Sequence, residues 1–166
     1  MSAHSPPAGS EALMHIETYR GDRTSLRHLF ALADDSETQI ASYIGLGDVL
    51  IARDGDTILG HLQFLETGEA GVFELKSMAI DITRQRNGIG GRLVAAAVAR
   101  CRSRDGRRLI VSTATADVGN LRFYQRQGFR MYRVVQDAFR PETGYPEEIW
   151  IDGVPLRDQV FLERFL

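Results

Sequence analysis

Alternating apolar and polar residues predict a series of strands in the first half of the chain. Residues 14–17 alternate in this way and predict a half-buried strand. Apolar runs at residues 49–52 and 57–65 flank an Asp-Gly pair, which is typical of a β-hairpin. Residues 72–80 then predict a third strand beside that hairpin.

Helical spacing of apolar residues separates these strands from one another and from later ones. Asp22 caps one predicted helix, and residues 37–44 form a second. A long amphipathic helix is predicted after a glycine loop, with one apolar face formed by Ile89, Leu93, Ala97 and Cys101. The remaining predicted elements are a strand over residues 109–114, a helix over 120–127 that begins at Asn120, a strand over 129–135 and a terminal hairpin over 148–162.

The predicted order of elements is β-α-α-β-β-β-α-β-α-β-β, in which the last position stands for the terminal hairpin. One domain over residues 14–166 is expected, because a chain of 166 residues falls within the usual size of a single domain. Residues 1–13 are rich in Pro, Gly, Ser and Ala and have too little apolar surface to offset the cost of ordering. They are therefore predicted to form a disordered tail.

Charge and hydropathy argue against several classes of function. A net charge of -2 provides no sequence-wide attraction to nucleic acid or to an anionic membrane, so neither partner is expected. No apolar run approaches the roughly 18 residues of a membrane helix. The single cysteine, Cys101, excludes an intrachain disulfide and offers no metal-ligand spacing, so no metal is predicted. A cytoplasmic location is the simplest interpretation.

The glycine loop at residues 85–91 is the clearest candidate binding element. It joins a strand to a helix, so the first helical N–H groups and the positive end of the helix dipole meet there and favour a phosphate. The same glycines also occur in helix caps and packing sites without a ligand, and both interpretations stay open on the loop alone. A dinucleotide fingerprint fails because Leu93 replaces its third glycine, and a nucleotide-triphosphate loop fails because Gly91 is followed by Arg92 and Leu93.

Two sequence blocks resemble the GNAT family of acyltransferases. The first is Gln85-x-x-Gly88-x-Gly90, which is similar to the acyl-CoA pyrophosphate loop of that family. The second begins at Asn120 and ends in Tyr124-x-x-x-Gly128-Phe129. The resemblance covers about residues 14–135 and implies a mixed α/β fold, a mostly antiparallel central sheet flanked by helices. It also implies acetyl-CoA as cosubstrate, with binding through Met78, Ala79, Ile80, Gln85, Arg86, Asn87, Gly88, Ile89, Gly90, Gly91, Asn120 and Tyr124.

The resemblance assigns two catalytic residues. Glu74 matches the position of a general base that accepts the proton of the amine, and Tyr124 matches a tyrosine that protonates the departing thiolate. A surface carboxylate paired with Lys76 is the alternative for Glu74, and aromatic packing is the alternative for Tyr124. For Asn120 a helix N-cap is a compatible alternative. Strict strand alternation places Glu74 and Met78 on one face, unless a bulge lies between them.

The expected function is transfer of an acetyl group from acetyl-CoA to a primary amine of an unidentified small molecule or peptide. A noncatalytic acyl-CoA-binding module and an acyltransferase with a longer donor are the alternatives. Trp150, Phe139 and Tyr145 either line an acceptor pocket or pack as ordinary strand aromatics, and Asp34 lies in an acidic cluster that either attracts a cationic amine or is a solvated helix start. A homodimer through the edge of the terminal hairpin is a further hypothesis.

Overall fold

A computed structural model describes residues 14–166, so the predicted tail lies outside the described residues. Within this range the strands are β1 (Met14–Thr18), β2 (Asp48–Asp54), β3 (Thr57–Glu66), β4 (Val72–Ile80), β5 (Arg108–Ala114), β6 (Arg130–Val135), β7 (Trp150–Ile151), β8 (Val154–Pro155) and β9 (Gln159–Phe165). The α-helices of the same range are α1 (Arg27–Ala33), α2 (Glu37–Tyr43), α3 (Ile89–Arg102) and α4 (Val118–Arg126). Short 3-10 helices cover Arg23–Leu26, Ile82–Arg84 and Pro141–Thr143.

Seven of these strands form one sheet in the order β1-β2-β3-β4-β5-β9-β6. Every neighbouring pair is antiparallel except β4 and β5, which are parallel. The parallel pair requires a crossover, and α3 provides it. The predicted fold class, a mixed and mostly antiparallel sheet with flanking helices, is confirmed.

Each face of the sheet packs against different helices. On one face, here called the α3 side, the apolar stripe of α3 is buried on the sheet together with Tyr124 and Phe129. On the opposite face, here called the α1 side, α1 and α2 pack over β2, β3 and β4, with Phe30, Ile40 and Tyr43 buried there. Cys101 is fully buried on the α3 side, as the helical spacing predicts. Within residues 14–166 no helix has both the length and the apolar character needed to span a bilayer.

The C-terminal region differs from the prediction. The hairpin around Asp152 and Gly153 consists only of β7 and β8 and forms a separate two-stranded sheet. The chain then returns to the main sheet as β9, which pairs with β5 on one side and with β6 on the other. Val160 and Leu162 of β9 are buried against the α3-side core, and this burial explains why the strand takes an interior position. Because β9 has partners on both sides, it offers no edge, and a homodimer stays a prediction.

Candidate active site

β4 separates from β5 just before the glycine loop. The two strands pair only over residues 72–75 of β4 and 108–111 of β5, while β4 remains paired with β3 as far as Ile80. Beyond Leu75, the edge of β4 that faces β5 has no strand partner among the described residues, so its backbone groups are available to a ligand. The three residues predicted to bind the acyl carbonyl and pantetheine lie along this gap, namely Met78, Ala79 and Ile80.

A β-bulge interrupts β4 at the point of separation. Ser77 lies opposite Gln63 of β3 and Leu75 lies opposite Phe64, so Lys76 is an extra residue without an opposite partner. The bulge shifts the alternation of side chains along β4 by one position. Strict alternation would place certain residues before and after the bulge on one face of the sheet. With the bulge, their side chains point to opposite faces.

This shift corrects the expected relation between Glu74 and Met78. Met78 packs against the α3-side core. Glu74 instead lies beside Lys76, whose ammonium is placed over the ring of Tyr43 on the α1 side. The shared face expected from uninterrupted alternation does not occur, and the alternative, a bulge between Glu74 and Met78, is confirmed.

Glu74 has a polar but partly shielded environment. Its side chain is 23% exposed, and its Oε1 lies 3.7 Å from Nζ of Lys76. The Lys76 ammonium lies 5.0 Å from the centre of the Tyr43 ring, which is within reach of a cation–π interaction. The Glu74 carboxylate therefore has a cation beside it, and that cation lies over an aromatic ring.

A network centred on Asp34 lies next to Tyr43. The hydroxyl of Tyr43 donates to Oδ2 of Asp34 at 2.9 Å, and the hydroxyl of Tyr145 donates to Oδ1 at 3.0 Å. The backbone N–H of Ser36 also donates to Oδ1, at 3.0 Å. Burial, and then the Asp34 charge, raise the pKa of both tyrosines above the ordinary value, so both hydroxyls stay protonated. The network ties the segment around Tyr145 to the loop between α1 and α2.

Sequence reasoning did not find this network, although it noted Asp34 and Tyr145 separately. Tyr43 was not singled out at all, because in the sequence it is one aromatic residue near the end of a helix. Phe139 packs edge-to-face on Tyr145 at 5.0 Å, whereas Trp150 is 61% exposed in the small hairpin. The three aromatic residues therefore do not form one cluster.

The glycine loop presents its open side at Gly88. This residue is the N-cap of α3 and has a φ of 74°, and a Cβ added to it would meet nothing within 4 Å. Arg86 also has a positive φ, 68°, and the side-chain amide of Gln85 donates to the carbonyl of Ile80 at 3.2 Å. The first-turn amides of α3 belong to Ile89, Gly90 and Gly91. Together with the helix dipole they make this end of α3 suited to a phosphate.

Gly90 and Gly91 have a packing role that differs from that of Gly88. A Cβ at Gly90 would lie 3.1 Å from ring atoms of Phe123, and one at Gly91 would lie 3.5 Å from the side-chain amide of Gln127. Gly90 therefore allows α4 to approach α3 closely. The same Cβ would lie 4.0 Å from Cε of Met78, so β4, α3 and α4 converge at this point.

Tyr124 lies in the core beneath this convergence. It is 5% exposed and contacts Phe123 and Phe129 edge-on, with ring centres 5.2 Å and 5.7 Å away. Burial, followed by the charge of Asp117, raises the pKa of Tyr124 above that of a free tyrosine. The position fits aromatic packing, and the raised pKa favours a hydroxyl that keeps its proton and donates a hydrogen bond.

Asn120 does not cap its helix. α4 begins at Val118, two residues earlier than predicted, and Asp117 is the N-cap because its Oδ1 accepts from the backbone N–H of Asn120 at 2.9 Å. The side-chain amide of Asn120 donates to Oγ1 of Thr113 near the end of β5, at 3.3 Å. Asn120 is exposed. The N-cap interpretation is wrong, while a contact with a cofactor stays a prediction.

The arrangement has two sides that meet at the gap between β4 and β5. The α3 side carries the N-terminal end of α3, which is suited to a phosphate, together with Met78 and Tyr124. The α1 side carries Glu74 and Lys76. A thioester held in the gap would lie between the side that carries Tyr124 and the side that carries Glu74, which suits acyl transfer to a nucleophile that arrives from the α1 side.

Comparison with known proteins identifies relatives of this chain. The "Acetyltransferase (GNAT) family" matches residues 16–129. An uncharacterized N-acetyltransferase of Bacillus subtilis strain 168, YvbK, is 28% identical over 149 residues, which is 90% of this chain and 94% of the relative.

Solved structures have a similar fold over most of the chain. An IAA acetyltransferase from Bacillus cereus has 32% sequence identity and a TM-score of 0.83, over 92% of this chain and 99% of the other. A GNAT family acetyltransferase from Elizabethkingia anophelis, solved with acetyl-CoA bound, has 26% identity and a TM-score of 0.85, over 94% of this chain and 100% of the other. These matches cover far more of the chain than the two blocks of sequence motifs.

Proposed function

Since the chain belongs to the GNAT family of acetyltransferases, we propose that it transfers the acetyl group of acetyl-CoA to a primary amine of a small molecule or peptide. The observation that carries the proposal is the gap between β4 and β5, which opens beside the N-terminus of α3 and has Glu74 at its mouth. The donor is supported by the relative from Elizabethkingia anophelis, which holds acetyl-CoA on a similar fold.

The diphosphate of the cosubstrate binds at the glycine loop in this proposal. The amides of Ile89, Gly90 and Gly91 point out of the first turn of α3, and Gly88 leaves open space in front of them. Arg86 and Asn87 are exposed next to this space and supply polar contacts. From there the pantetheine arm runs along the unpaired edge of β4.

The acyl carbonyl accepts hydrogen bonds from backbone N–H groups of Met78, Ala79 and Ile80. A donor placed where negative charge develops on the carbonyl oxygen is worth about 3 kcal/mol in comparable sites. The buried hydrogen bond between His61 and Ser77, 2.9 Å long, holds β4 firmly at the start of this stretch. A rigid strand keeps the donors in place without reorganisation during the reaction.

Glu74 is the general base in this mechanism. An amine must lose a proton before it attacks the thioester, and Glu74 is the partly shielded carboxylate at the mouth of the gap. Because Glu74 points to the α1 side, the acceptor approaches from there. We call this region, formed by Glu74, Lys76 and Tyr43, the acceptor face.

Tyr124 acts on the departing thiolate as a hydrogen-bond donor. Its raised pKa keeps the hydroxyl protonated at neutral pH. Complete proton transfer to a thiolate of ordinary pKa about 8.5 from a tyrosine of pKa 10 or more would cost about 2 kcal/mol or more. Complete transfer would require a lowered pKa of Tyr124, whereas burial raises it. Tyr124 therefore donates a hydrogen bond to the thiolate and keeps its proton.

Release of the CoA thiol in the presence of amines tests this function. The panel consists of polyamines, amino acids, aminoglycosides and peptide N-termini, with acetyl-CoA and longer acyl-CoA donors. Glu74→Gln is expected to lower kcat/KM by about 100-fold or more, the usual contribution of a general base. Tight CoA binding without thiol release from any donor and amine would contradict the catalytic proposal.

Glu163→Gln is the matched control. Glu163 is also a partly shielded carboxylate on a central strand, 20% exposed, and is also paired with a cation, Arg108, at 2.6 Å. It lies on β9, two strands from Glu74. Its replacement should leave turnover nearly unchanged, and an equal loss in both variants would show that Glu74 acts only through the stability of the sheet.

A further inference from the structure

Lys76 is a primary amine held at the mouth of the proposed acyl-transfer gap. It is the only lysine in the sequence. It follows Leu75, the last residue of β4 that pairs with β5, so it stands where the two strands separate. The bulge at this position leaves Lys76 without an opposite residue on β3.

The surroundings of Lys76 are those that an acceptor amine requires. Its Nζ lies 3.7 Å from the carboxylate proposed as general base and 5.0 Å from the centre of the Tyr43 ring. A carboxylate and an aromatic face are the two groups that stabilise an ammonium before it is deprotonated. The side chain is 33% exposed, so it has room to move towards the gap.

We propose that Lys76 is an internal acyl acceptor, so that the protein acetylates its own Lys76 when no better amine occupies the acceptor face. This inference rests on the proposed function. Glu74 takes a proton from Nζ, and the nitrogen lone pair attacks the carbonyl carbon of acetyl-CoA. The new C–N bond forms and the C–S bond breaks, and the nitrogen loses its second proton as the CoA thiolate leaves and is protonated, while the first proton stays on Glu74 until it passes to water. The products are Nε-acetylated Lys76 and free CoA.

The modification changes the acceptor face. Acetylation removes the positive charge next to Glu74 and with it both the ion pair and the cation–π contact with Tyr43. The same site then presents an uncompensated carboxylate to an incoming amine. Self-acetylation is therefore also a means by which acetyl-CoA changes the affinity of the face for cationic acceptors.

Mass spectrometry of the full chain tests the proposal. The protein is incubated with acetyl-CoA and no added amine, and the site is mapped by peptide analysis. One acetyl group on Lys76 is expected, at a rate per chain that does not depend on protein concentration. Glu74→Gln should slow this labelling about 100-fold. Acetyl phosphate, which acetylates lysines without an enzyme, should label the wild type and Glu74→Gln equally.

A relocated lysine provides the matched control. Arg53 is 27% exposed on β2 and contacts Glu17 at 2.6 Å, so Arg53→Lys in a Lys76→Arg background places the only lysine beside a carboxylate away from the gap. It should acquire no acetyl group beyond the slow chemical rate. Labelling of this variant as fast as the wild type, or labelling of wild type that Glu74→Gln does not slow, would overturn the proposal.

The outcomes also separate this inference from the proposed function. Thiol release with an added amine, but no acetyl group on Lys76, would overturn self-acetylation and leave the acetyltransferase intact. Absence of both reactions, with acetyl-CoA bound, would overturn the two together. A second-order dependence on protein concentration would show transfer between molecules and would also contradict an internal acceptor.

Discussion

Replacing Gly88 with alanine tests the glycine loop through a known conformational cost. Gly88 has a φ of 74°, in the left-handed region, where a residue with a Cβ is disfavoured by about 1–2 kcal/mol. A Cβ there would meet nothing within 4 Å, so no clash adds to this cost. For a chain of this size, 1 kcal/mol lowers the Tm by about 2–4 °C, and the expected decrease is therefore about 2–8 °C if the loop keeps its shape.

CoA binding should weaken in the same variant. If the loop changes its conformation to avoid the strain, the amides of the first turn of α3 lose their alignment. The conformational cost then lowers the affinity for CoA instead of the Tm. A loss of about 1–2 kcal/mol corresponds to an increase of about 5- to 30-fold in Kd. Isothermal titration calorimetry with CoA measures this change, and thermal unfolding of the same samples measures the Tm.

Gly55→Ala is the control for this experiment. Gly55 lies in the turn between β2 and β3, has a φ of 57°, and would also place a Cβ in open space. It should lower the Tm to a similar extent and leave the Kd for CoA unchanged. If the Kd for CoA rises equally in both variants, the loop does not hold the diphosphate, and if neither the Tm nor the Kd changes in Gly88→Ala, the conformational cost assigned to Gly88 is wrong.

Three further predictions concern His61, Cys101 and Tyr145. Burial lowers the pKa of His61 to about 3, below its unfolded value of 6.5. Below about pH 6.5 the unfolded state therefore binds a proton on His61 that the folded state does not. The free energy of unfolding should fall there as the pH drops, by up to about 1.4 kcal/mol per pH unit. Urea unfolding at about pH 5 and pH 6 should show this slope disappear in His61→Gln but not in His15→Gln, where the side chain is 54% exposed. Burial raises the pKa of the Cys101 thiol to about 11, so a thiol reagent at about pH 8 should react only as fast as the protein unfolds, and a rapid reaction of the native state would contradict this. Tyr145→Phe should lower the free energy of unfolding by about 1 kcal/mol, because it removes the hydrogen bond to Asp34; unchanged urea unfolding would show that this bond contributes nothing.

Local pattern was sufficient to predict most elements of the fold. The strand Val72–Ile80 has the predicted bounds, and the long helix begins at Ile89 with its predicted apolar face buried. These elements follow directly from side-chain periodicity. The position of β9 between β5 and β6 does not, because strand order depends on which apolar faces meet in three dimensions. The sequence around residues 159–165 looks the same whether that strand is an edge or an interior strand.

Local sequence predicts some parts of the candidate site and not others. The loop around Gly88 and the helix that carries Tyr124 were predictable, since both are local blocks with their own turn chemistry. The network that joins Tyr43 and Tyr145 to Asp34 was not, because it brings together residues 111 positions apart. Nothing in the local sequence of either tyrosine marks the shared carboxylate.

The bulge at Lys76 decides on which face of the sheet Glu74 lies. Without it, Glu74 and Met78 would share one face, and the proposed base would point to the α3 side, where the proposed CoA site lies. The extra residue turns Glu74 to the α1 side while Met78 stays on the α3 side. Donor and acceptor can then approach the gap from opposite faces of the sheet, and a single insertion in one strand achieves this separation. The same insertion places Lys76, the only lysine in the sequence, 3.7 Å from Glu74, and the proposed self-acetylation depends on this contact.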